Sequence, residues 1–445
     1  MAKKDYMKKD PVSSLSENKR EKKQKDNQVR VYFDWAASSP YQEASGDVPY
    51  GNPSSQHSEG RSAKQLLEDA RNRCAAVLNV PPKTLYFTSG GTESNSIALF
   101  SNLMRPGKGR VISSLTEHAS VRGGIETLEK MGKLTGFIPV DSAGRVTAES
   151  FSKTLEKYGD VRFAAIMSVN NETGAVTDIA SIRDVINQKG ENSRLPIHLH
   201  CDLVQAAGKI PLNITDLEID SASISAHKIG GPRGIGLLYL RKPLEVFYSG
   251  GGQENGIRGG TENTRGAIAL ADCLEKYAMS AVSNELGFID AQSKITREHF
   301  FTVQDYYSLA KKRWEKLISA LNEIKRCTII PAERAKDNAS LKHQVSALTG
   351  FYDNDGFNGF SPYILQVAFN DIPGEVMARA LDDLGIAVST GSACSASSPE
   401  RPVLAAMGIN EKLRIEGIRI SQGQSTTDRE IDLLLDAIRE VLKFL

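Results

Sequence analysis

From Val29 onward, short apolar runs rich in β-branched residues alternate with longer stretches whose apolar positions recur every three to four residues. The short runs read as strands and the longer ones as amphipathic helices, so the alternation predicts βα units around a mostly parallel sheet. Leu85–Thr88 reads as a strand, Ser89–Thr92 as a turn and 93–102 as a helix. Further strands are expected at Arg110–Ser113, 163–169, 197–202, Ser221–Ser225 and Gly236–Leu240, with helices at 119–131 and 179–188 between them. A long amphipathic stretch, 280–321, predicts a helix that connects two domains. After it, 365–370, 375–384 and 414–421 resume a strand–helix–strand rhythm. The chain then closes in a helix over 427–445 with acids early and Lys443 late, as the helix dipole favours. The whole pattern predicts two α/β domains and an N-terminal tail.

Composition narrows the class. The 445 residues are 40% hydrophobic and 24% charged, an ordinary globular balance that excludes wholesale disorder. No apolar run approaches the roughly 18 residues of a membrane span. The net charge of +1 conceals an asymmetry. Residues 1–30 hold ten basic and five acidic side chains, a net of +5 that leaves the rest of the chain at −4. The tail has no sustained periodicity and reads as disordered. It lacks the apolar core of a secretory signal, and its lysines and acids do not suit a transit peptide, so a cytoplasmic location is expected. With Tyr6 the one aromatic among its bases, it does not predict direct nucleic-acid binding. Five widely spaced cysteines (Cys74, Cys201, Cys273, Cys327 and Cys394) contain no CxxC pair and predict free thiols.

Four segments carry candidate chemistry. The Ser89-Gly90-Gly91-Thr92 turn follows a strand and opens a helix, a place where backbone N–H groups can cradle a phosphate. By itself it does not distinguish such a cradle from an ordinary βα connection, and it matches neither a Walker A loop nor GxGxxG. Lys228, in Ser225-Ala226-His227-Lys228, sits at a strand end before Gly230-Gly231-Pro232, where it reads as a Schiff-base lysine or as a surface residue. In His198-Leu199-His200-Cys201-Asp202, strand alternation puts both histidines and Asp202 on one face and Cys201 on the other. A carboxylate at that strand end suits a protonated ring nitrogen better than a metal. Finally, residues 389–398 are almost all small, and Cys394 among them reads as an exposed, reactive thiol.

Taken together, these segments resemble the cysteine desulfurases of the NifS/IscS type, which are class V aminotransferase relatives among the fold type I pyridoxal-phosphate enzymes. Ten motifs carry the resemblance in the family's order: YFDWAASSP (32–40), GNPSSQH (51–57), FTSGGTESNS (87–96), TEHASV (116–121), NNETGAV (170–176), CDLVQAAGK (201–209), SAHKIGGPRGIG (225–236), GGGQENGIRGGTEN (250–263), STGSACSAS (389–397) and IRISQG (418–423). The likeness runs from about Val31 to the C-terminus. It implies an α/β fold with a large domain around a mostly parallel seven-stranded sheet, over 51–284. A smaller α/β domain from 31–50 and 285–445 would carry the catalytic cysteine loop.

The resemblance also implies roles. Lys228 would hold pyridoxal 5'-phosphate, Asp202 would pair with its ring nitrogen and Gln205 with its phenolic oxygen. His118 would stack on the ring and move protons on substrate and thiol. Gly91, Thr92, Ser225 and His227 would hold the phosphate, completed by Thr261 from the other subunit of a homodimer. Asn171 and Arg419 would hold the substrate, L-cysteine. Cys394 would attack its sulfur and carry it as a persulfide to an acceptor protein, such as an iron–sulfur scaffold or a tRNA-thiolation enzyme. A selenocysteine lyase and a non-catalytic sulfur-transfer scaffold are the alternatives. The short stretch 41–50, Gln366, Gln422 and the segment 351–362 depart from the family pattern, which bears on the outer pocket wall and the partner surface.

Overall fold

The computed structural model describes residues 30–41, 50–105, 107, 109–190, 196–278, 302–335, 359–391 and 400–445. The basic tail to residue 29, the first part of the expected connecting helix, residues 42–49 and 351–358, and Cys394 with its neighbours 392–399 lie outside the described residues.

A two-residue strand β1 (Val31–Tyr32) and helix α1 (Ser58–Leu78) precede the main sheet. That sheet is built from β2 (Leu85–Thr88), β3 (Arg110–Ser114), β4 (Thr135–Ile138), β5 (Val161–Met167), β6 (His198–Asp202), β7 (Ser221–Ser225) and β8 (Gly236–Leu240). The order is β2-β8-β7-β6-β5-β3-β4, with β8 the one antiparallel member. The six parallel strands are joined by crossovers, among them α2 (Gly91–Met104), α3 (Ala119–Lys130), α4 (Ala148–Tyr158) and α5 (Ile179–Gly190), and α6 (Thr264–Ala278) follows the sheet. Strand alternation divides the buried side chains between two faces. Tyr86, Val111 and Phe163 pack with Leu99 of α2 and Ile125 of α3. Phe87, Ile112 and Ala164 pack with Leu67 of α1 and Leu270 of α6. Because both faces are covered, the strands read as nearly continuous apolar runs.

The second half supplies α7 (Val303–Asn322), β9 (Cys327–Ile330), β10 (Ile364–Phe369), α8 (Gly374–Asp383), β11 (Ile386–Ala387), α9 (Pro402–Ala406), α10 (Glu411–Glu416), β12 (Gly417–Ser421) and α11 (Asp428–Phe444). Strands β12-β10-β9 form an antiparallel sheet, and β1 returns to pair in parallel with β11. A separate core joins Leu365 and Val367 of β10, Trp314 of α7, Met377 of α8, Leu434 of α11 and Phe33.

The sequence expectation for 414–421 is corrected at its first half. Residues 411–416 are helical, capped by Asn410 accepting from the Leu413 N–H, and the strand begins only at Gly417. Helix α2 begins two residues earlier than expected, so Gly91 and Thr92 are its first turn rather than part of the preceding loop. No helix among the described residues is long and apolar enough to cross a membrane.

Candidate active site

The carboxyl ends of β5, β6 and β7 and the start of α2 converge on a cavity of about 270 Å³. This is where an open α/β sheet places its ligands. Gly91, Thr92, His118, Asn171, Asp202, Gln205, Ser225, His227, Lys228 and Arg419 all line it. Thr261 does not: it is exposed, beyond the glycine-rich loop 250–260. Cys394 lies outside the described residues.

Local chemistry explains each placement. At the β2–α2 turn Gly90 has φ +146°, a region that side chains avoid, and a Cβ at Gly91 would come within 2.6 Å of Val204 Cγ2. The cap residue Gly90 offers no side chain to the helix, which leaves first-turn N–H groups of α2 available to an anion. Facing them, His227 carries a buried Nδ1 without a hydrogen-bond partner, and burial beside Lys228 and Lys209 pulls its pKa down to about 4. An uncapped helix terminus, Ser225 and an unpartnered ring nitrogen that can carry the imidazole hydrogen suit the phosphate of pyridoxal phosphate.

Asp202 ends β6. Its Oδ1 accepts from the Val204 N–H at 3.0 Å and its Oδ2 from Asn95 Nδ2 at 2.9 Å. Lys228 ends the short 3₁₀ turn after β7, and its Nζ donates to the carbonyls of Ala36 and Ala37 at 2.6 and 2.8 Å. The WAASSP segment is therefore part of the pocket. Ser39 holds it there through two bonds from its N–H and hydroxyl to the His227 carbonyl, both 2.8 Å. Gln205 is buried, donating to the Ala36 carbonyl at 2.9 Å and accepting from Lys209 Nζ at 2.5 Å. Lys209 is fully buried, and desolvation, helped by Lys228 and Arg419, holds its pKa well below the ordinary lysine range.

His118 caps α3. Its Nδ1 accepts from the Ser120 N–H at 3.1 Å and lies 2.8 Å from Ser120 Oγ. Burial lowers its pKa, against the pull of Asp202. Arg419, 1% exposed, donates Nη1 to the Asn171 carbonyl at 3.0 Å and Nη2 to Asp34 Oδ1 at 2.8 Å. Its Nε and the Asn171 Oδ1 are buried without partners, a donor and an acceptor left for a polar ligand. Backbone bonds in both directions tie Arg419 to Ser389. The residues that lead into the Cys394 segment therefore start at the cavity's edge.

Two groups escaped the sequence reading. Asn95 lines the cavity and touches Asp202, and the signal for it was its position one turn into α2, on the face of Gly91 and Thr92. Asp34 was hidden in a segment whose spacing says nothing of Arg419. Of the two departures from the family pattern within the described residues, Gln422 donates to the Ala310 and Pro362 carbonyls and so acts as a tie, not as pocket wall. Gln366 stands opposite Arg419 in the sheet, fully buried, with neither amide atom hydrogen-bonded. The two histidines of β6 are in hydrogen bonds to serine and asparagine side chains, and no cluster of His, Cys, Asp or Glu among the described residues is arranged to hold a metal.

Known proteins resemble this chain along most of its length. The model of the aminotransferase class-V family matches residues 31–307 and 314–434. A cysteine desulfurase IscS of Dictyoglomus turgidum is 32% identical over 426 residues, 93% of this chain and 94% of its own length. The cysteine desulfurase IscS of Vibrio cholerae is 32% identical over 429 residues, 92% of each chain. Among solved structures, a NifS-like protein superposes with a TM-score of 0.75 at 30% identity, covering 94% of this chain and 100% of its own. SspA, solved in complex with cysteine, gives 0.66 at 25% identity, covering 89% and 100%. With a family match over most of its length and the cavity residues gathered at the sheet's carboxyl edge, the chain belongs to the aminotransferase class-V family.

Proposed function

We propose that this chain is a pyridoxal-phosphate-dependent cysteine desulfurase that converts L-cysteine to L-alanine and takes the sulfur onto Cys394. The observation that carries the reading is the convergence of Lys228, Asp202, His118 and Arg419 on one cavity, with Ser389 leading into the Cys394 segment beside it. When bound, pyridoxal phosphate supplies the electron sink for the bond cleavage at the substrate. The first turn of α2, Ser225 and His227 would hold its phosphate, with Asp202 available to its ring nitrogen and Gln205 to its phenolic oxygen. Arg419 holds the substrate carboxylate, for which a planar guanidinium is well shaped, and Asn171 holds the substrate beside it. Lys228 Nζ carries the proton at the substrate Cα, and His118 handles a proton beside the sulfur. The Cys394 thiolate attacks that sulfur: an S–S bond forms, the substrate C–S bond breaks, and its electrons and a proton leave with alanine. The four described cysteines suit this task poorly. Burial pushes the thiols of Cys74 and Cys327 up to about 12 and that of Cys273 to about 11, and raises Cys201 well above the ordinary range.

The exposure of Thr261 supports a homodimer in which it reaches the phosphate of a second copy. The persulfide then passes to an acceptor protein serving iron–sulfur assembly or tRNA thiolation, in the cytoplasm. The two-domain division, 51–284 and 31–50 with 285–445, is part of the same proposal, and the two separate cores support it.

The test is direct. Purified protein is incubated with pyridoxal phosphate, L-cysteine and a reductant, and alanine and sulfide are quantified, with L-selenocysteine assayed alongside. Full sulfide release by Cys394→Ala would sink the persulfide step. A normal visible cofactor band in Lys228→Ala would remove the lysine assignment.

A further inference from the structure

Behind the cavity a chain of hydrogen bonds runs from the far end of β6 to Asp202, and its direction follows from one acceptor. The Asp202 carboxylate can only accept, so Asn95 turns Nδ2 toward it, 2.9 Å away. Asn95 Oδ1 then faces His200 Nε2 at 2.9 Å, which must carry the hydrogen. His200 is fully buried and its pKa is pulled down to about 3, so its ring is neutral and Nδ1 is bare. Nδ1 lies 2.8 Å from Ser221 Oγ and accepts the hydroxyl hydrogen. Ser221 Oγ in turn accepts from His198 Nε2 at 2.7 Å, and His198 Nδ1 faces Arg105 Nη2 at 3.4 Å. Phe163 stacks on His198 at 4.9 Å with the rings 4° apart, and this keeps the row in register.

The second hydrogen of Asn95 Nδ2 goes to Ser120 Oγ at 2.9 Å. The Ser120 N–H points at His118 Nδ1 from 3.1 Å, so that nitrogen accepts, and the Ser120 hydroxyl 2.8 Å away donates to it as well. Both approaches to Nδ1 are donors. The proton of the neutral His118 ring is therefore on Nε2, and the terminus of α3 opposes a second one. In this state His118 offers a hydrogen to the cavity rather than a lone pair.

We propose that Asn95 is the positioning residue of the pocket: its amide fork orients the Asp202 carboxylate with one hydrogen and, through Ser120, fixes His118 with its proton on Nε2 with the other. The His200 Nε2–H braces the amide at its oxygen in that orientation. The Asp202 arm rests on the desulfurase reading above; the His118 arm is a property of the chain itself.

The experiment separates the two. In the full-length protein labelled with ¹⁵N-histidine, with and without pyridoxal phosphate, two-bond ¹H–¹⁵N spectra should show His118 and His200 both protonated on Nε2. A proton on Nδ1 of either ring overturns the proposal, whatever the protein catalyses. In the loaded enzyme Asn95→Ala should lower kcat for L-cysteine by about tenfold to a hundredfold, the worth of a hydrogen bond to a charged group, with KM within about threefold. KM is spared because Arg419 and Asn171 are untouched. His200→Gln, which keeps a donor near the Nε2 position, should stay within about threefold of wild type, and His200→Leu should fall with Asn95→Ala. Should Asn95→Ala not fold, the contrast between the two His200 variants still decides: equal rates in both overturn the proposal. A wild-type chain that neither holds pyridoxal phosphate nor forms alanine would instead overturn the functional reading, leaving the spectra to test the network.

Discussion

A methyl group added at position 91 would crowd the helix start proposed to receive the phosphate. The Cβ of Gly91→Ala would meet Val204 Cγ2 at 2.6 Å, and Val204 follows directly on the strand end that carries Asp202. Relief must push either the first turn of α2 or the Asp202 end of β6, at about 1–3 kcal/mol for overpacking. The expected outcome is at least a tenfold weaker pyridoxal-phosphate affinity by spectroscopic titration, with a lower melting temperature. Unchanged affinity would show that the turn plays no part in binding. Next to His118, Glu117 is a different kind of test. It is fully buried, with Oε1 accepting from the Ser114 hydroxyl at 2.7 Å and the Met167 N–H at 2.9 Å, while Oε2 has no partner. Burial pushes its pKa from 4.5 to about 8. The fold therefore keeps a proton that the unfolded chain releases near 4.5. That stabilisation is complete below the unfolded value and is lost as pH rises toward about 8. Urea unfolding at pH 5 and pH 8 should show wild type losing more stability than Glu117→Gln across this interval, by a few kcal/mol in order of magnitude. Parallel losses in the two proteins would mean that Glu117 is not the proton's holder.

At the scale of elements, the 250–263 segment shows how a loop is held where regular structure ends. Glu254 lies in the left-handed region, φ +48°, yet it is buried because Arg71 donates to both its oxygens at 2.7 and 2.8 Å. The Phe87 N–H of β2 also donates to it at 2.8 Å. One carboxylate thus fastens the glycine-rich loop to α1 and to the edge strand of the main sheet. Glu254→Gln removes the charge and leaves Arg71 with only the half-exposed carboxylate of Glu68 as its ion-pair partner, which should cost about 1–3 kcal/mol in chemical denaturation. A loss below 1 kcal/mol would mean that the loop is secured elsewhere. The sequence reading could not see this tie, because the two partners are 183 residues apart. What it could see was periodic. The alternation in β6 placed His198, His200 and Asp202 on one face, and in the structure Leu199 and Cys201 fill the core on the other. Boundaries were less legible where an end is set by a cap rather than by hydrophobicity. Asn410 starts α10 inside a stretch whose apolar spacing suits a strand equally well. Likewise Lys228, Asp202 and Arg419 were found from their motifs. Asn95 and Asp34 acquire meaning only when the fold brings them against those residues.

For the whole molecule the question is which chain completes which site. Removing residues 1–30 should leave cysteine turnover unchanged, since every residue given a role lies beyond the +5 tail; a large loss would give the tail a part in catalysis. The exposed Thr261 poses the harder problem, because it lies outside the cavity that Lys228 lines, while the loop that bears it is fastened through Glu254. If it serves a second copy, each site combines Lys228 of one chain with Thr261 of the other, as a two-fold interface requires. Lys228→Ala and Thr261→Ala chains should each be inactive when pyridoxal phosphate is limiting. Denatured together and refolded in equal amounts, half of the dimers become hybrids. In each hybrid one site has lost both residues and the other has both intact. The mixture should therefore recover about a quarter of wild-type turnover. A site assembled within one chain predicts a different result, since every site in every hybrid would then lack one residue and mixing would restore nothing.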